Sequence, residues 1–285
     1  MKLHYWEGLT VDNHHIRNFG DELNPFIWGK LLGDIFDESD DVIFLGIGSL
    51  LNDNLERDLP GPSLKLIFGT GVGYGKRPLH LNNTYKVYCV RGPLSARALG
   101  LDDTYSITDS ALLIRHVVPD IACTKIYKFG YMPHWTNHTA RLELLCRDNN
   151  IFYIDPTRPN VMEVIKEILS CETIFAEAMH AAIIADALRV PWVSVKSTKE
   201  VIAFKWRDWC ASIQVPYDPH SVMPLWEKDL NSRSFKHRLK ELLVSKQLAK
   251  IVNTHKPILS NAQHADILFE RLNAKMETLK IDLKL

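Results

Sequence analysis

The chain has 285 residues, of which 46% are hydrophobic and 24% charged, and its formal net charge at pH 7 is zero. A chain of this length can bury a sizeable core in one large or two medium domains, and its composition is typical of a soluble globular protein. The balanced charge gives no indication of nucleic-acid binding, and the absence of a signal-like or membrane-spanning apolar stretch favours a cytoplasmic protein.

The first half of the chain alternates short apolar runs with glycine-rich turns. A helix-like stretch follows Asn18 and Asp21, which would either cap that helix or face a ligand. The pattern predicts strands, each followed by a turn, at Val42–Leu45, Leu64–Phe68 and Tyr85–Val90, and a helix at Leu94–Leu99.

The pattern restarts after Pro119. It predicts strands at Lys125–Phe129, Ile151–Ile154, Thr173–Ala176 and Trp192–Val195, with helices at Thr139–Arg147, Val161–Leu169 and between His180 and Pro191. Two runs of alternating strands and helices indicate an α/β protein with two doubly wound lobes. We place the lobes at residues 1–120 and 121–225, followed by a basic helical extension at residues 226–285.

Three polar side chains would sit at the carboxyl ends of buried strands, where open parallel sheets bind ligands. His180 would lie in the first turn of a helix, where the helix dipole favours an anion, or it would simply begin a core helix. Arg91 directly follows a strand and would bind a carboxylate or phosphate, unless it forms a buried ion pair with Asp109. His134 would bind or protonate an anion, or have a purely structural role.

The glycine clusters do not match a nucleotide-binding fingerprint. Gly69-x-Gly71-x-Gly73 lacks the GxGxxG spacing, and no GxxxxGK[ST] loop is present. These glycines instead indicate a cleft walled by backbone. The five cysteines are scattered without CxxC spacing, so we expect reduced thiols and neither a zinc site nor a disulfide framework.

In this order, a set of short motifs resembles the polysaccharide pyruvyltransferase family over about residues 18–195, and most closely its bacterial exopolysaccharide branch, which includes the xanthan and succinoglycan pyruvyltransferases. The motifs that carry the resemblance are Asn18-x-Gly20-Asp21, Gly46-x-Gly48-Ser49, Gly69-Thr-Gly71, Val90-Arg91-Gly-Pro-x-Ser95, Thr108-Asp109, Tyr131-x-Pro133-His134 and Ala178-Met-His180.

The resemblance implies a GT-B-like pair of Rossmann-like lobes, with the acceptor on the N-terminal side and the donor on the C-terminal side. It implies that the enolpyruvyl group of phosphoenolpyruvate becomes a cyclic ketal on two hydroxyls of one sugar, with release of phosphate. The acceptor would be a saccharide, typically linked to a polyprenyl diphosphate. Neither a metal nor an organic cofactor is required by this chemistry.

The resemblance also suggests roles for individual residues. His180 would be the acid–base group, Asp21 would orient or deprotonate an acceptor hydroxyl, and Glu177 would be a reserve base. Many members carry Arg-Leu-His where this chain has Ala178-Met179-His180, so Arg91, His134 or Lys205 would contact the donor phosphate. The remaining substrate-binding candidates are the motif residues Asn18, Gly20, Gly48, Ser49, Gly69, Thr70, Gly71 and Ser95.

Two alternatives stay open at this point: a GT-B glycosyltransferase that uses a nucleotide-sugar donor, and a non-catalytic binding protein of envelope assembly. The C-terminal region 228–285 has 12 Lys and Arg against 6 Asp and Glu, a surplus of +6. Its basic cluster, Arg233 to Lys240, precedes Leu242, Leu243 and Val244, which suits either an anionic membrane surface or a helix packed on the body. The sequence leaves the oligomeric state open.

Overall fold

The structure of the protein is a computed structural model, which describes residues 1–11, 14–118, 123–225 and 235–285. Within these ranges the chain forms two parallel sheets with helices packed against them, which confirms the α/β class. The strands are β1 (Lys2–Leu3), β2 (Leu9–Val11), β3 (His14–Ile16), β4 (Val42–Leu45), β5 (Leu64–Phe68), β6 (Tyr85–Cys89), β7 (Tyr127–Met132), β8 (Phe152–Tyr153), β9 (Cys171–Ala176), β10 (Trp192–Lys196) and β11 (His220–Ser221).

The helices follow the strands in the alternation expected from the sequence, with a pair of long helices at the C-terminal end. They are α1 (Phe19–Leu32), α2 (Asp53–Asp58), α3 (Pro93–Ala98), α4 (Ile114–Val117), α5 (Ala140–Asp148), α6 (Val161–Leu169), α7 (Met179–Ala187), α8 (Ala203–Ser212), α9 (Phe235–Thr254) and α10 (Ala262–Leu283).

The two sheets have the strand orders β1-β4-β5-β6 and β11-β10-β9-β7-β8, while β2 and β3 form a separate antiparallel hairpin. Every neighbouring pair in both sheets is parallel, so all carboxyl ends in a sheet lie at one edge. The predicted boundary near residue 120 falls at residues 119–122, outside the described ranges. The lobe boundaries and the Rossmann-like and GT-B-like comparisons remain predictions.

One predicted strand begins too early. Lys125–Phe129 was expected, but β7 runs from Tyr127 to Met132. Lys125 reaches across to donate from Nζ to the backbone oxygens of Leu169 and Cys171, and Ile126 is 69% exposed. The strand is buried only from Phe129 onwards, where both faces of the sheet are covered by other elements.

A shared core joins the two sheets. One cluster of buried apolar side chains contains Leu23 of α1, Phe68 of β5, Ile165 of α6, Ile184 of α7 and Leu272 of α10. Each such residue contributes about 1.5–3 kcal/mol when fully buried. The helices between the sheets are therefore held firmly, and they fix the facing carboxyl edges relative to one another.

The C-terminal helices pack on the body through one face each. Val244, Leu248 and Ile251 of α9 are buried in a second apolar cluster, while α10 joins the main core. Leu242 and Leu243 of the predicted apolar stripe are instead exposed, and Arg233 lies outside the described residues. No helix in the described ranges combines the length and apolarity needed to cross a membrane.

Candidate functional site

A pocket lies where the carboxyl edges of both sheets meet the first turns of α1 and α7. Ligands of open α/β sheets bind at such edges. Its wall consists of Asn18, Gly20, Asp21, Gly48, Ser49, Tyr74, His134, Ala178, Met179, His180 and Lys205. Eight of these eleven were site candidates from the sequence, and they come together because the carboxyl edges of the two sheets meet here.

His180 is the second residue of α7, and its imidazole is held between a carboxylate and a helix. Nε2 lies 3.7 Å from Oδ2 of the fully buried Asp109, and neither atom has another hydrogen-bond partner among the described residues. This separation is longer than a hydrogen bond, so the interaction is electrostatic in this state. A carboxylate at this distance orients the imidazole ring. The arrangement is suited to moving a proton.

Gly20 allows α1 to approach the imidazole closely. A Cβ built on Gly20 would lie 2.2 Å from Nδ1 of His180, far inside van der Waals contact. Nδ1 therefore abuts the pocket wall, while Nε2 faces Asp109. A side chain at this position of α1 would displace the imidazole.

Asp21 follows in the same turn of α1, and Nδ2 of Asn18 donates a hydrogen bond to its Oδ2 at 2.5 Å. Burial raises the pKa of Asp21, and this effect is opposed by the Asn18 hydrogen bond and by the charges of His180 and Lys205. A raised pKa makes a carboxylate a better proton acceptor near neutral pH. Asn18 is the N-cap residue of α1 but makes no side-chain cap bond, so its amide serves Asp21 instead.

His134 is buried at the end of β7 and acts as a neutral hydrogen-bonding group. Its Nδ1 accepts from the Thr136 N–H and lies 2.8 Å from Oγ1 of Thr136. The network assigns the ring proton to Nε2. Burial, reinforced by the charge of Lys205, lowers the pKa of His134 to about 4. The imidazole is therefore an uncharged N–H donor at neutral pH.

Lys205 of α8 supplies the ammonium group of the pocket. Its Nζ donates to the Tyr74 hydroxyl at 2.9 Å and lies 4.9 Å from the centre of that ring. The Ala181 N–H of α7 donates to the Ala178 oxygen. The N–H groups of Met179 and His180, on the same pocket wall as Lys205, come before the first regular bond of the helix and are left for a ligand. An ammonium group facing free helix N–H groups forms an anion-binding environment.

Arg91 lies beneath the pocket rather than on its wall, and its guanidinium is fully buried. Nε donates to Asp208 at 3.0 Å, Nη1 to Gly48 and Ser49, and Nη2 to the Val72 oxygen. The ion pair formed is thus with Asp208 and not with Asp109, the partner considered from the sequence. Asp208 is on the same helix as Lys205, so this pair fixes the helix that carries the pocket ammonium.

Five other candidates also lie outside the pocket wall. Glu177 is buried and accepts hydrogen bonds from Tyr131, Asn137 and Ser197, and burial raises its pKa. Ser95 donates to Asp208, and Thr70 donates to the Gly48 oxygen. Gly69 and Gly71 are buried, and a Cβ on Gly71 would lie 2.6 Å from Cζ of Arg91. These residues support the loops that form the wall.

Tyr74 and the role of Asp109 were not predicted from the sequence. Tyr74 follows a glycine cluster and had no chemical signature of its own. Asp109 was quoted only within a motif and as a partner for Arg91, whereas it faces His180. Within the described residues, no group of three or more His, Cys, Asp or Glu side chains could hold a metal ion.

Residues 9–198 match the family model described as polysaccharide pyruvyl transferase. The succinoglycan biosynthesis protein ExoV of Rhizobium meliloti (strain 1021) is 37% identical over 224 residues, which are 78% of this chain and 68% of that protein. An uncharacterized protein of Acanthamoeba polyphaga mimivirus is 27% identical over 143 residues, which are 47% of this chain and 49% of that protein. The matched range contains every wall residue of the pocket except Lys205.

Proposed function

Since this chain belongs to the polysaccharide pyruvyl transferase family, we propose that it moves the enolpyruvyl group of phosphoenolpyruvate onto two hydroxyls of one sugar. The product is a cyclic pyruvate ketal on an exopolysaccharide repeat unit, and phosphate is released. The observation that carries this proposal is the pairing, in one pocket, of an anion-binding wall with the His180–Asp109 proton-transfer pair.

The donor binds through its negative charges. Lys205 contacts the phosphate, together with the N–H groups of Met179 and His180 at the start of α7. The Nε2–H of His134 donates to the carboxylate or to a phosphate oxygen. Lys205 thereby takes the role of the family arginine, whose position is Ala178 in this chain. Arg91 acts indirectly, because its bond to Asp208 holds α8 in place and its bond to Ser49 shapes the wall.

Transfer begins when His180 protonates C3 of the enolpyruvyl group, which places positive charge on C2. A sugar hydroxyl attacks C2 and loses its proton to Asp21, whose pKa is raised by burial. The bond between C2 and the phosphate oxygen then breaks, a second cation forms, and the neighbouring hydroxyl closes the ring. Of the two hydroxyl protons, one returns to His180 in place of the proton that it gave to C3, and the other leaves with phosphate.

The acceptor is a saccharide carried on a polyprenyl diphosphate at the inner membrane face. Support for this location comes from α9, where Phe235, Leu239 and Leu242 are 81%, 45% and 52% exposed and share one helix face. Lys236 and Arg238 beside them are also exposed. Apolar side chains flanked by basic ones bind anionic lipid surfaces. The opposite face of α9 packs on the body, so the protein would lie on the membrane peripherally.

A thermal-shift titration with phosphoenolpyruvate tests the donor site, because a ligand of the native state raises its stability. We expect stabilisation of the wild type and about a tenfold or larger loss of affinity in Lys205→Ala, the value of a charge-assisted hydrogen bond. Arg207→Ala is the matched control, since Arg207 is exposed on the same helix. Stabilisation by UDP, GDP or UDP-sugars instead of phosphoenolpyruvate would indicate a nucleotide-sugar glycosyltransferase.

A further inference from the structure

A second and larger cleft opens beside the pocket. It has a volume of about 730 Å³, within the size range of small-molecule sites. Asn18, Asp21, Ser49, Tyr74 and His134 line both cavities. A molecule seated in the cleft would therefore reach Asp21, to which we assign the deprotonation of the acceptor hydroxyl.

Two tryptophans from different sheets meet in this cleft. Trp6 follows β1 and Trp135 follows β7, and their ring centres are 5.0 Å apart with planes tilted by 32°. Both side chains line the cavity and are only half-buried. The pair thus presents a joint aromatic surface that neither sheet covers. Aromatic rings leave such surface exposed at binding sites, where an apolar face and nearby polar groups act together.

The polar groups around the tryptophans indicate a ligand without strong negative charge. The carboxylates of Glu7, Asp21, Asp58 and Glu200 line the cleft. Lys2 is the basic side chain that could oppose them, and its Nζ is 3.0 Å from Asp40. Carboxylates at this density repel phosphate groups and accept hydrogen bonds from hydroxyls, so only the saccharide part of a lipid-linked acceptor would enter the cleft.

Two further groups are uncharged hydrogen-bonding partners at neutral pH. Burial raises the pKa of Tyr5, which keeps its hydroxyl protonated, and lowers the pKa of His4, which keeps its imidazole neutral. A pyranose matches this lining, because it has apolar C–H faces and a rim of hydroxyls. A nucleotide matches it poorly, since its phosphates would meet the carboxylates.

We propose that this cleft, defined by Tyr5, Trp6, Asp58 and Trp135, is the acceptor-saccharide site. A sugar ring packs its C–H face on the tryptophan pair and directs its hydroxyls towards Asp21 in the adjoining pocket. The orientation of the reacting hydroxyls rests on the proposed pyruvyl transfer. The binding of a neutral saccharide does not, so the two can be tested separately.

The test uses neutral repeat-unit oligosaccharides of succinoglycan and measures their binding by calorimetry. We expect Trp6→Ala and Trp135→Ala each to raise the saccharide Kd about tenfold or more, while phosphoenolpyruvate binds as in the wild type. Tyr127→Ala is the control, since Tyr127 is 37% exposed and stacks on Phe152 at the other end of β7. Trp6→Phe and Trp135→Phe, which keep an aromatic ring, should bind with intermediate affinity and resolve the question if an alanine variant unfolds.

Unchanged saccharide affinity in the tryptophan variants, an equal loss in Tyr127→Ala, or no binding of these oligosaccharides to the wild type would overturn the proposal. So would binding of UDP or GDP that is lost with the tryptophans, because the cleft would then hold a nucleotide. A wild type that binds saccharide through Trp6 and Trp135 but forms no ketal would leave the cleft assignment standing. That result would refute the proposed pyruvyl transfer alone.

Discussion

Replacing Gly20 by alanine should disable the enzyme without unfolding it. The new methyl carbon would lie 2.2 Å from Nδ1 of His180, whereas ordinary contacts begin near 3.4 Å. The imidazole must therefore move by about 1 Å, away from the pocket wall. A displacement of this size in a catalytic group reduces kcat by about a hundredfold.

The fold should tolerate the same change. Gly20 has an ordinary helical backbone, and alanine favours a helix over glycine by about 1 kcal/mol. This gain offsets part of the overpacking cost, which is about 1–3 kcal/mol. Gly29→Ala is the matched control on α1, because no atom lies within 4 Å of its built Cβ.

The assay is phosphoenolpyruvate-dependent ketal formation on a saccharide acceptor, with urea unfolding measured in parallel. We expect Gly29→Ala to keep wild-type kcat and to gain about 0.5–1 kcal/mol of stability. If Gly20→Ala matched Gly29→Ala in kcat while folded, the close packing of His180 would have no catalytic importance and our assignment of this histidine would fail.

Four further predictions concern individual groups. Asp109→Asn should lower kcat about tenfold or more and shift the pH–rate profile while leaving phosphoenolpyruvate affinity unchanged; an unaltered profile would contradict the pairing with His180. Arg91→Ala should lower the free energy of unfolding in urea by about 3–5 kcal/mol, because Asp208 would remain buried without its partner. A decrease as small as that of Arg207→Ala, a change at an exposed position, would refute this. The folded pKa of His134, about 4, lies below its unfolded value of 6.5, so the unfolded state binds more protons and stability falls as pH drops through that interval. Between pH 7 and 4.5, His134→Gln should lose about 2–3 kcal/mol less of its free energy of unfolding than the wild type does. The same pH dependence of unfolding in both proteins would contradict this. Finally, the double variant Leu239→Asp/Leu242→Asp should no longer co-sediment with anionic vesicles. The control Ile281→Asp, at a 75% exposed position on α10, should still bind them. Equal binding by both variants would exclude α9 as the membrane face.

The strand–helix–strand unit around His180 could be predicted from the sequence because its signals are local. A buried apolar run, an alanine-rich helical segment and a proline follow one another, and β9, α7 and β10 lie where these signals indicate. The same logic places Ser49 after β4 and His180 after β9, each at the carboxyl edge of its own sheet. Parallel strands place their following loops at one edge, whatever lies between them in the chain.

The partners of individual side chains could not be predicted in this way. Arg91 directly follows a strand, as an anion-binding arginine would, yet its guanidinium is taken by Asp208, a residue 117 positions later on α8. Trp6 and Trp135 carry no local motif, and only the packing of the segments that follow β1 and β7 brings them together. Such contacts depend on how the two sheets pack, which no short stretch of sequence encodes.

The most direct test of pyruvyl transfer is to incubate the protein with carbon-labelled phosphoenolpyruvate and the lipid-linked or free repeat-unit saccharide. Phosphate release and the labelled ketal carbon are then followed together by NMR. The account predicts one phosphate released for each ketal formed, dependent on acceptor and abolished in His180→Ala. Release of phosphate without label on the sugar, or sugar transfer from a nucleotide donor in place of ketal formation, would contradict it.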